Sequence, residues 1–380
     1  MYFDHAATSY PKPREVRLAV LRAMEECANP GRGGYREALR AAETVHECRM
    51  QCASLFDCEP EQVVFTSSAT HGLNAAIKDL VRPGDRVVVS GFEHNAVMRP
   101  LAALHAEIVV AGRTLFDAED TLRAFEEAIG EDVKAVICTH VSNVFGYILP
   151  LERIAALCRK KSVPLIIDAA QSAGILPLSL RGLGAAYIAM PGHKALLGPM
   201  GTGILLCGRI PERTLLEGGT GSLSREFSMP EFLPDRMEAG TANVPGIAGL
   251  SAGIGIVRKL GLEEIAEKEQ RLIRTIVQRL DGNETIRCFA GLNQSGVLSL
   301  QVEGQDCVCT AERLAEAGIA VRAGLHCAPL AHASAGTLRQ GTVRISVSPF
   351  HTLADAERLT DALMMEKRIY IGKETGSLPL

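Results

Sequence analysis

The sequence predicts an α/β protein with two domains: a large one built on a mainly parallel seven-stranded sheet, and a smaller α+β C-terminal one. Three observations lead there. First, short apolar, β-branched runs at 63–65, 86–90, 107–110, 135–138, 165–167, 185–189 and 203–207 alternate with helical segments such as 121–129 and 151–160. That alternation is the signature of strand–helix–strand units with right-handed crossovers, and of helices on both sheet faces. Second, a long helical stretch over 247–280 is followed by a different grouping, with strand-like runs at 296–302, 320–322 and 341–347. Third, 380 residues give room for two domains of ordinary size. The large domain is expected over 16–246, and the small one over 1–15 plus 247–380. The segments 319–323 and 343–347 frame a loop that carries Cys327. The chain shows no repeat and no low-complexity stretch, and only 372–380 reads as disordered.

Composition narrows the function. Hydrophobic residues make up 47% and charged residues 22%, the balance of a globular protein with a large core. A net charge of −4 offers no electrostatic case for nucleic acid or an anionic membrane. The longest apolar candidate, 246–257, is glycine-rich and stops at Arg258, too short to span a bilayer. The start, Met1-Tyr2-Phe3-Asp4-His5, lacks the pattern of a signal peptide, so a cytoplasmic location is expected. The eleven cysteines are scattered and odd in number, which reads as free thiols. His46, Cys48, Cys52 and Cys58 invite a metal reading. However, Cys48 and Cys52 share a helix face and no paired C-x-x-C accompanies them, so no metal is assigned. Cys307 and Cys309, at a strand end or helix start, receive no role.

Residues 168–194 carry the most chemistry. Asp168 closes the apolar run 163–167, where open α/β sheets place their ligands. Lys194 follows the next run, amid Pro191-Gly192 and the glycine-rich 197–203, flanks that let backbone pack tightly on a ligand. An acid to keep a ring nitrogen protonated and a lysine for a Schiff base point to pyridoxal 5'-phosphate. Gln171 adds an amide for the ring hydroxyl. Residues 66–72, Thr-Ser-Ser-Ala-Thr-His-Gly, place hydroxyls and free N–H groups at a helix start suited to the cofactor phosphate, although capping alone would also explain them. His94 follows the strand ending at Ser90, at a height where an imidazole could stack on the ring and move protons. Each signal is ordinary alone; their order along one sheet edge is not.

With these residues in view, the sequence resembles the class V aminotransferase superfamily and, within it, the cysteine desulfurases. The resemblance runs through residues 2–8 (Tyr-Phe-Asp-His-Ala-Ala-Thr), Asn29-Pro30-Gly31-Arg32-Gly33, Ser68-Ala69-Thr70, Glu93-His94-Asn95 and residues 140–146. It continues through Asp168-Ala169-Ala170-Gln171-Ser172, Gly192-His193-Lys194 and Glu238-Ala239-Gly240-Thr241. Residues 322–330, Arg-Ala-Gly-Leu-His-Cys-Ala-Pro-Leu, resemble the cysteine loop of the group II, SufS-like enzymes, and Val343-Arg344-Ile345-Ser346 the segment of the carboxylate-binding arginine.

The resemblance implies fold type I of the pyridoxal-phosphate-dependent transferases. It implies that Lys194 forms the Schiff base and shuttles the α-proton, Asp168 pairs with the pyridine nitrogen, Gln171 bonds the phenolic oxygen and His94 stacks on the ring. Ala69 and Thr70 would bind phosphate with help from His193, and Thr241 would reach the phosphate of the other subunit of a homodimer. Asn143, Arg322 and Arg344 would serve the substrate, with Arg344 and Asn143 on its carboxylate. Cys327 would attack the sulfur of L-cysteine, leaving alanine and a persulfide for a separate acceptor protein. Arg322 and His326 are the neighbours available to assist the thiolate, since free cysteine titrates near about 8.5. One departure stands out: Pro191 lies where many members carry a phosphate-binding serine, so one contact is missing or supplied elsewhere. Other readings remain open, namely selenocysteine lyase, another class V enzyme such as an aminotransferase, epimerase or β-lyase, and a non-catalytic sulfur-trafficking scaffold.

Overall fold

The computed structural model describes residues 1–31 and 33–374. The seven expected strands form one sheet: β1 (Val63–Thr66), β2 (Arg86–Ser90), β3 (Glu107–Ala111), β4 (Val133–Thr139), β5 (Leu165–Asp168), β6 (Tyr187–Pro191) and β7 (Gly203–Cys207), in the order β1-β7-β6-β5-β4-β2-β3. Only β7 runs against the rest, pairing antiparallel with both β1 and β6. The six parallel strands therefore end on one edge, at Thr66, Ser90, Ala111, Thr139, Asp168 and Pro191. Every position of β5, β6 and β7 is buried, as expected of central strands covered on both faces.

The run expected at 185–189 lies two residues later, which brings Pro191 into β6. The missing N–H is harmless there. β5 has already stopped pairing at Asp168↔Ala189, and the ladder to β7 continues through Gly192 N–H donating to Thr202 O at 2.8 Å.

The small sheet is antiparallel and contains β8 (Ile286–Phe289), β9 (Val297–Val302), β10 (Arg322–Gly324) and β11 (Thr342–Ser346), in the order β10-β11-β9-β8. β8 was not expected, because Ile-Arg-Cys-Phe is short and lacks a β-branched repeat. The run placed at 320–322 is in fact 322–324; Ala320 instead forms a bridge with Tyr2. That bridge brings Phe3 fully into the small core beside Leu298 and Ile345.

The single helix expected over 247–280 is two, Val244–Leu260 and Leu262–Leu280, broken at Gly261 with φ +83°. A left-handed residue ends a helix, and glycine takes that conformation without strain. Ile247, Leu250 and Ile254 of the first helix join the large core, and Leu272, Ile273 and Ile276 of the second join the small one. Cys48 and Cys52 lie buried on the helix Arg36–Phe56, and Cys307 opens the helix Cys307–Glu316. Of the stretch expected to be disordered, 372–374 end the helix Leu353–Glu374, and 375–380 lie outside the described residues. No helix among the described residues is long and apolar enough to cross a membrane.

Candidate active site

The edge of the large sheet gathers the predicted residues strand by strand. After β1, Ser68 caps the helix Ala69–Leu80, its Oγ accepting from His71 N–H at 3.2 Å, so Ala69 and Thr70 occupy the first turn. Their N–H groups have no partner within the helix, which suits an anion. Thr66, Ser67, His71, Thr202, Gly203 and Thr241 line a cleft of about 1010 Å³ in front of this turn. Gly203 permits the close approach: a Cβ there would lie 2.6 Å from Thr66 Oγ1. Thr241 is exposed, and its segment is anchored by Glu238. That carboxylate takes two hydrogen bonds from Arg49, both 2.9 Å, and one from Phe65 N–H at 2.6 Å. The Glu238–Arg49 fork escaped the sequence reading, because nothing in the chain marks residues 49 and 238 as partners.

After β2, His94 caps the helix Asn95–Ala103, with Nδ1 accepting from Ala96 N–H at 3.0 Å. Nε2 therefore carries the ring proton. Burial, followed by the positive charges of Lys194 and Arg344, lowers His94 to about 4, so the ring is neutral near pH 7. The preceding residue, Glu93, is fully buried between Ser90 Oγ–H and Thr139 N–H, both donating to Oε1, while Oε2 has no partner. Burial pushes its carboxyl up to about 8.

Asp168 ends β5 opposite Thr139 of β4. Its Oδ1 accepts from Ala170 N–H at 2.9 Å, which leaves Oδ2 open to a second partner. Burial raises its pKa, and the Ala170 hydrogen bond and Lys194 oppose that rise. Lys194 is lowered to about 8 by burial, with Asp168 opposing. Beside it, His193 O accepts from Ser9 N–H at 3.1 Å and Lys12 Nζ at 2.6 Å, and His193 Nδ1 lies 3.1 Å from Thr8 Oγ1. Gln171 Nε2 donates to Ala6 O at 3.0 Å. The N-terminal segment thus straps the lysine turn in place.

The small sheet brings the remaining residues to this edge. Arg344 of β11 is buried; its Nη1 donates to Asn143 O at 3.0 Å and its Nη2 to Asp4 Oδ1 at 2.7 Å. Asn143 Nδ2 donates in turn to His326 O at 2.8 Å. Cys327 is exposed, and its carbonyl accepts from Asn95 N–H at 2.8 Å, next to His94. His326 and Cys327 both adopt left-handed backbone, φ +50° and +56°, a strained double bend for residues other than glycine. Arg322 stands opposite Arg344 in the β10–β11 register and is exposed.

The expectation that His326 assists the thiolate needs correction. Its Nε2 lies 3.2 Å from Thr342 O, its ring faces His332 at 5.8 Å, and its Nδ1 is buried without a partner. Neither nitrogen is bonded to the Cys327 thiol, and burial together with Arg344 holds the ring neutral, with a pKa near 2.

The family model for aminotransferase class-V matches residues 1–359. The chain belongs to the class-V aminotransferase family. Among curated relatives of this class-V protein, a probable cysteine desulfurase of Methanothermobacter thermautotrophicus is 32% identical, covering 96% of this chain and 94% of that protein. A cysteine desulfurase of Shigella sonnei is 30% identical, covering 97% and 93%. Among solved structures, the apo cysteine desulfurase of Thermococcus onnurineus superposes with a TM-score of 0.87 at 29% identity, covering 97% of this chain and 94% of that one. An Escherichia coli cysteine desulfurase with an S-sulfonic acid gives 0.84 at 26% identity, with coverage of 97% and 94%. The α/β architecture with its mostly parallel seven-stranded sheet is that of the fold type I enzymes.

Proposed function

We propose that this class-V protein is a pyridoxal-phosphate-dependent cysteine desulfurase of the group II kind, converting L-cysteine to L-alanine and leaving a persulfide on Cys327. The observation that carries the proposal is the placement of Cys327. Asn95 N–H and Asn143 Nδ2 hold the carbonyls of Cys327 and His326, so an exposed thiol stands at the edge that also presents His94, Asp168 and Lys194.

The donor set fits the cofactor. Asp168 offers an open Oδ2 in a buried setting, Lys194 an amine whose proton is weakly held, and Ala69 and Thr70 the N–H groups of a helix start. Gln171 has a second amide hydrogen to offer the phenolic oxygen; His193 would add a phosphate contact, and Thr241 would reach the phosphate of the other subunit. Bound there, the cofactor would supply an electron sink for the bond-breaking at Cα.

The protein's own groups do the rest. Arg344, with Asn143 and Arg322, orients the substrate carboxylate. Lys194 takes and returns the α-proton; an amine near 8 changes protonation at little cost near neutral pH. His94, neutral with Nε2–H, can lie flat on a ring and donate a hydrogen bond. The Cys327 thiolate forms the S–S bond as the substrate C–S bond breaks, and the carbon is protonated to alanine, so the step is redox-balanced overall. A separate acceptor protein would then take the sulfur from the exposed loop.

A homodimer is part of the proposal. Leu18, Leu21 and Met24 form an exposed apolar stripe on the helix Arg14–Glu26, and Leu39 and Met50 are exposed on the helix Arg36–Phe56 that flanks the Thr241 cleft. Mass spectrometry of the protein after incubation with L-cysteine tests the proposal. We expect one added sulfur on Cys327, with alanine formed in step; alanine without a sulfur adduct in any peptide would sink it.

A further inference from the structure

Arg344 holds a carboxylate of its own chain. Asp4 Oδ1 sits 2.7 Å from Nη2, Asn143 O takes Nη1, and Nε is buried without a partner. The Arg344 side chain is 3% exposed and that of Asp4 18%, so Asp4 is the more accessible partner of the pair. The backbone of Asp4 cannot withdraw. Phe3 N–H donates to Ala320 O at 2.8 Å, Ser346 N–H to Phe3 O at 2.7 Å, and Ala6 N–H to Ser346 Oγ at 2.8 Å, which staples the segment to β11 on both sides of Asp4. Only its side chain is free to turn, and a single hydrogen bond holds that side chain on the arginine. Arg322, directly across the β10–β11 pair, is a second positive charge near Arg344.

We propose that Asp4 is an internal stand-in for the substrate carboxylate. It occupies the open edge of Arg344, and an entering α-carboxylate takes that edge as Asp4 turns toward solvent. This inference rests on the reading of Arg344 as the carboxylate-binding group. It makes Asp4 a specificity-setting residue that acts through Arg344. A carboxylate tethered to the chain competes at high effective concentration, so a simple anion is excluded. An amino acid held also through its amine has the second anchor needed to displace it.

Calorimetric titration of the purified protein with propionate, a carboxylate without the amine, tests this. Asp4→Asn keeps the size and the acceptor but removes the charge; Asp4→Ser is the second variant should the first not fold. We expect either to bind propionate at least about tenfold more tightly than the parent, the size of one lost charge-assisted hydrogen bond in competition. The KM for L-cysteine should fall while kcat does not rise, a split that a merely structural role would not produce. Equal or weaker propionate binding in both variants, with Arg344→Lys still abolishing it, overturns the role of Asp4 and leaves Arg344 in place. Propionate binding that is indifferent to Asp4→Asn and Arg344→Lys alike overturns both.

Discussion

Lys194 and Cys327, the two residues at the centre of the proposed reaction, stand under opposite physical regimes. Around Lys194, burial sets the chemistry: the lysine falls to about 8, His94 falls to about 4, and Glu93 rises to about 8. Desolvation penalises whichever form is charged, so acids and bases converge toward neutrality near pH 7. Cys327 is exposed, and geometry places it instead: two left-handed residues in a row and one backbone hydrogen bond from Asn95. In the proposed reaction the large sheet tunes proton affinity, whereas the small sheet would deliver a nucleophile that must also be reachable from outside.

The sharpest test of that division compares two truncations. Lys194→Ala should cost about 10²- to 10⁴-fold or more in alanine formation, since proton transfer and cofactor attachment are lost together. It should also abolish the visible absorbance gained when cofactor is added to the apoprotein. Cys327→Ala should keep that absorbance and fail to accumulate protein-bound sulfur. If the cysteine variant also lost the absorbance, the two regions would not be separable as described.

How much of this could be read from the chain follows the same line. The seven large-sheet strands were legible because they are short apolar runs, most of them separated by helical segments, and their carboxyl ends give the order of His94, Asp168 and Lys194. The break at Gly261 was masked by apolar residues on both sides. β8 was missed because four residues with Arg287 in the middle carry no period. The Asp4–Arg344 and Arg49–Glu238 pairs join residues far apart in sequence, so local pattern holds no trace of them. His326 was a candidate by adjacency alone, and adjacency says nothing about where a ring points. Its partner, Thr342, is contributed by β11.

Between the two regions lies Arg344, buried like the first and carried by the second. Arg344→Lys should lower kcat/KM for L-cysteine by roughly 10- to 100-fold, because a lysine cannot serve Asn143 O and a carboxylate through a planar fork. The persulfide should still form at high substrate concentration. An effect on kcat alone, with KM unchanged, would place the arginine in the chemical step rather than in carboxylate binding.

The least effect on turnover is expected from Glu269, yet it isolates desolvation most cleanly. It lies on the helix Leu262–Leu280, buried against Gly296, where a Cβ would sit 2.3 Å from Oε2. It shares with Gln171, Lys194 and Ser295 a cavity of about 40 Å³, room for a few waters at most. Asp168 is similarly buried but faces Lys194, whereas burial alone pushes Glu269 up to about 8. The folded chain thus keeps a proton that the unfolded chain releases above its ordinary carboxyl pKa, 4.5. Stability therefore falls as pH rises from about 4.5 to about 8, and Glu93 adds a slope of the same sign. Glu269→Gln should remove its share, gaining roughly 2–4 kcal/mol relative to the parent at pH 8 and close to nothing at pH 5. Urea midpoints at the two pH values measure this. Parallel pH dependence in parent and variant would mean that the carboxyl is ionised and paired in solution, and that burial alone does not govern this side of the site.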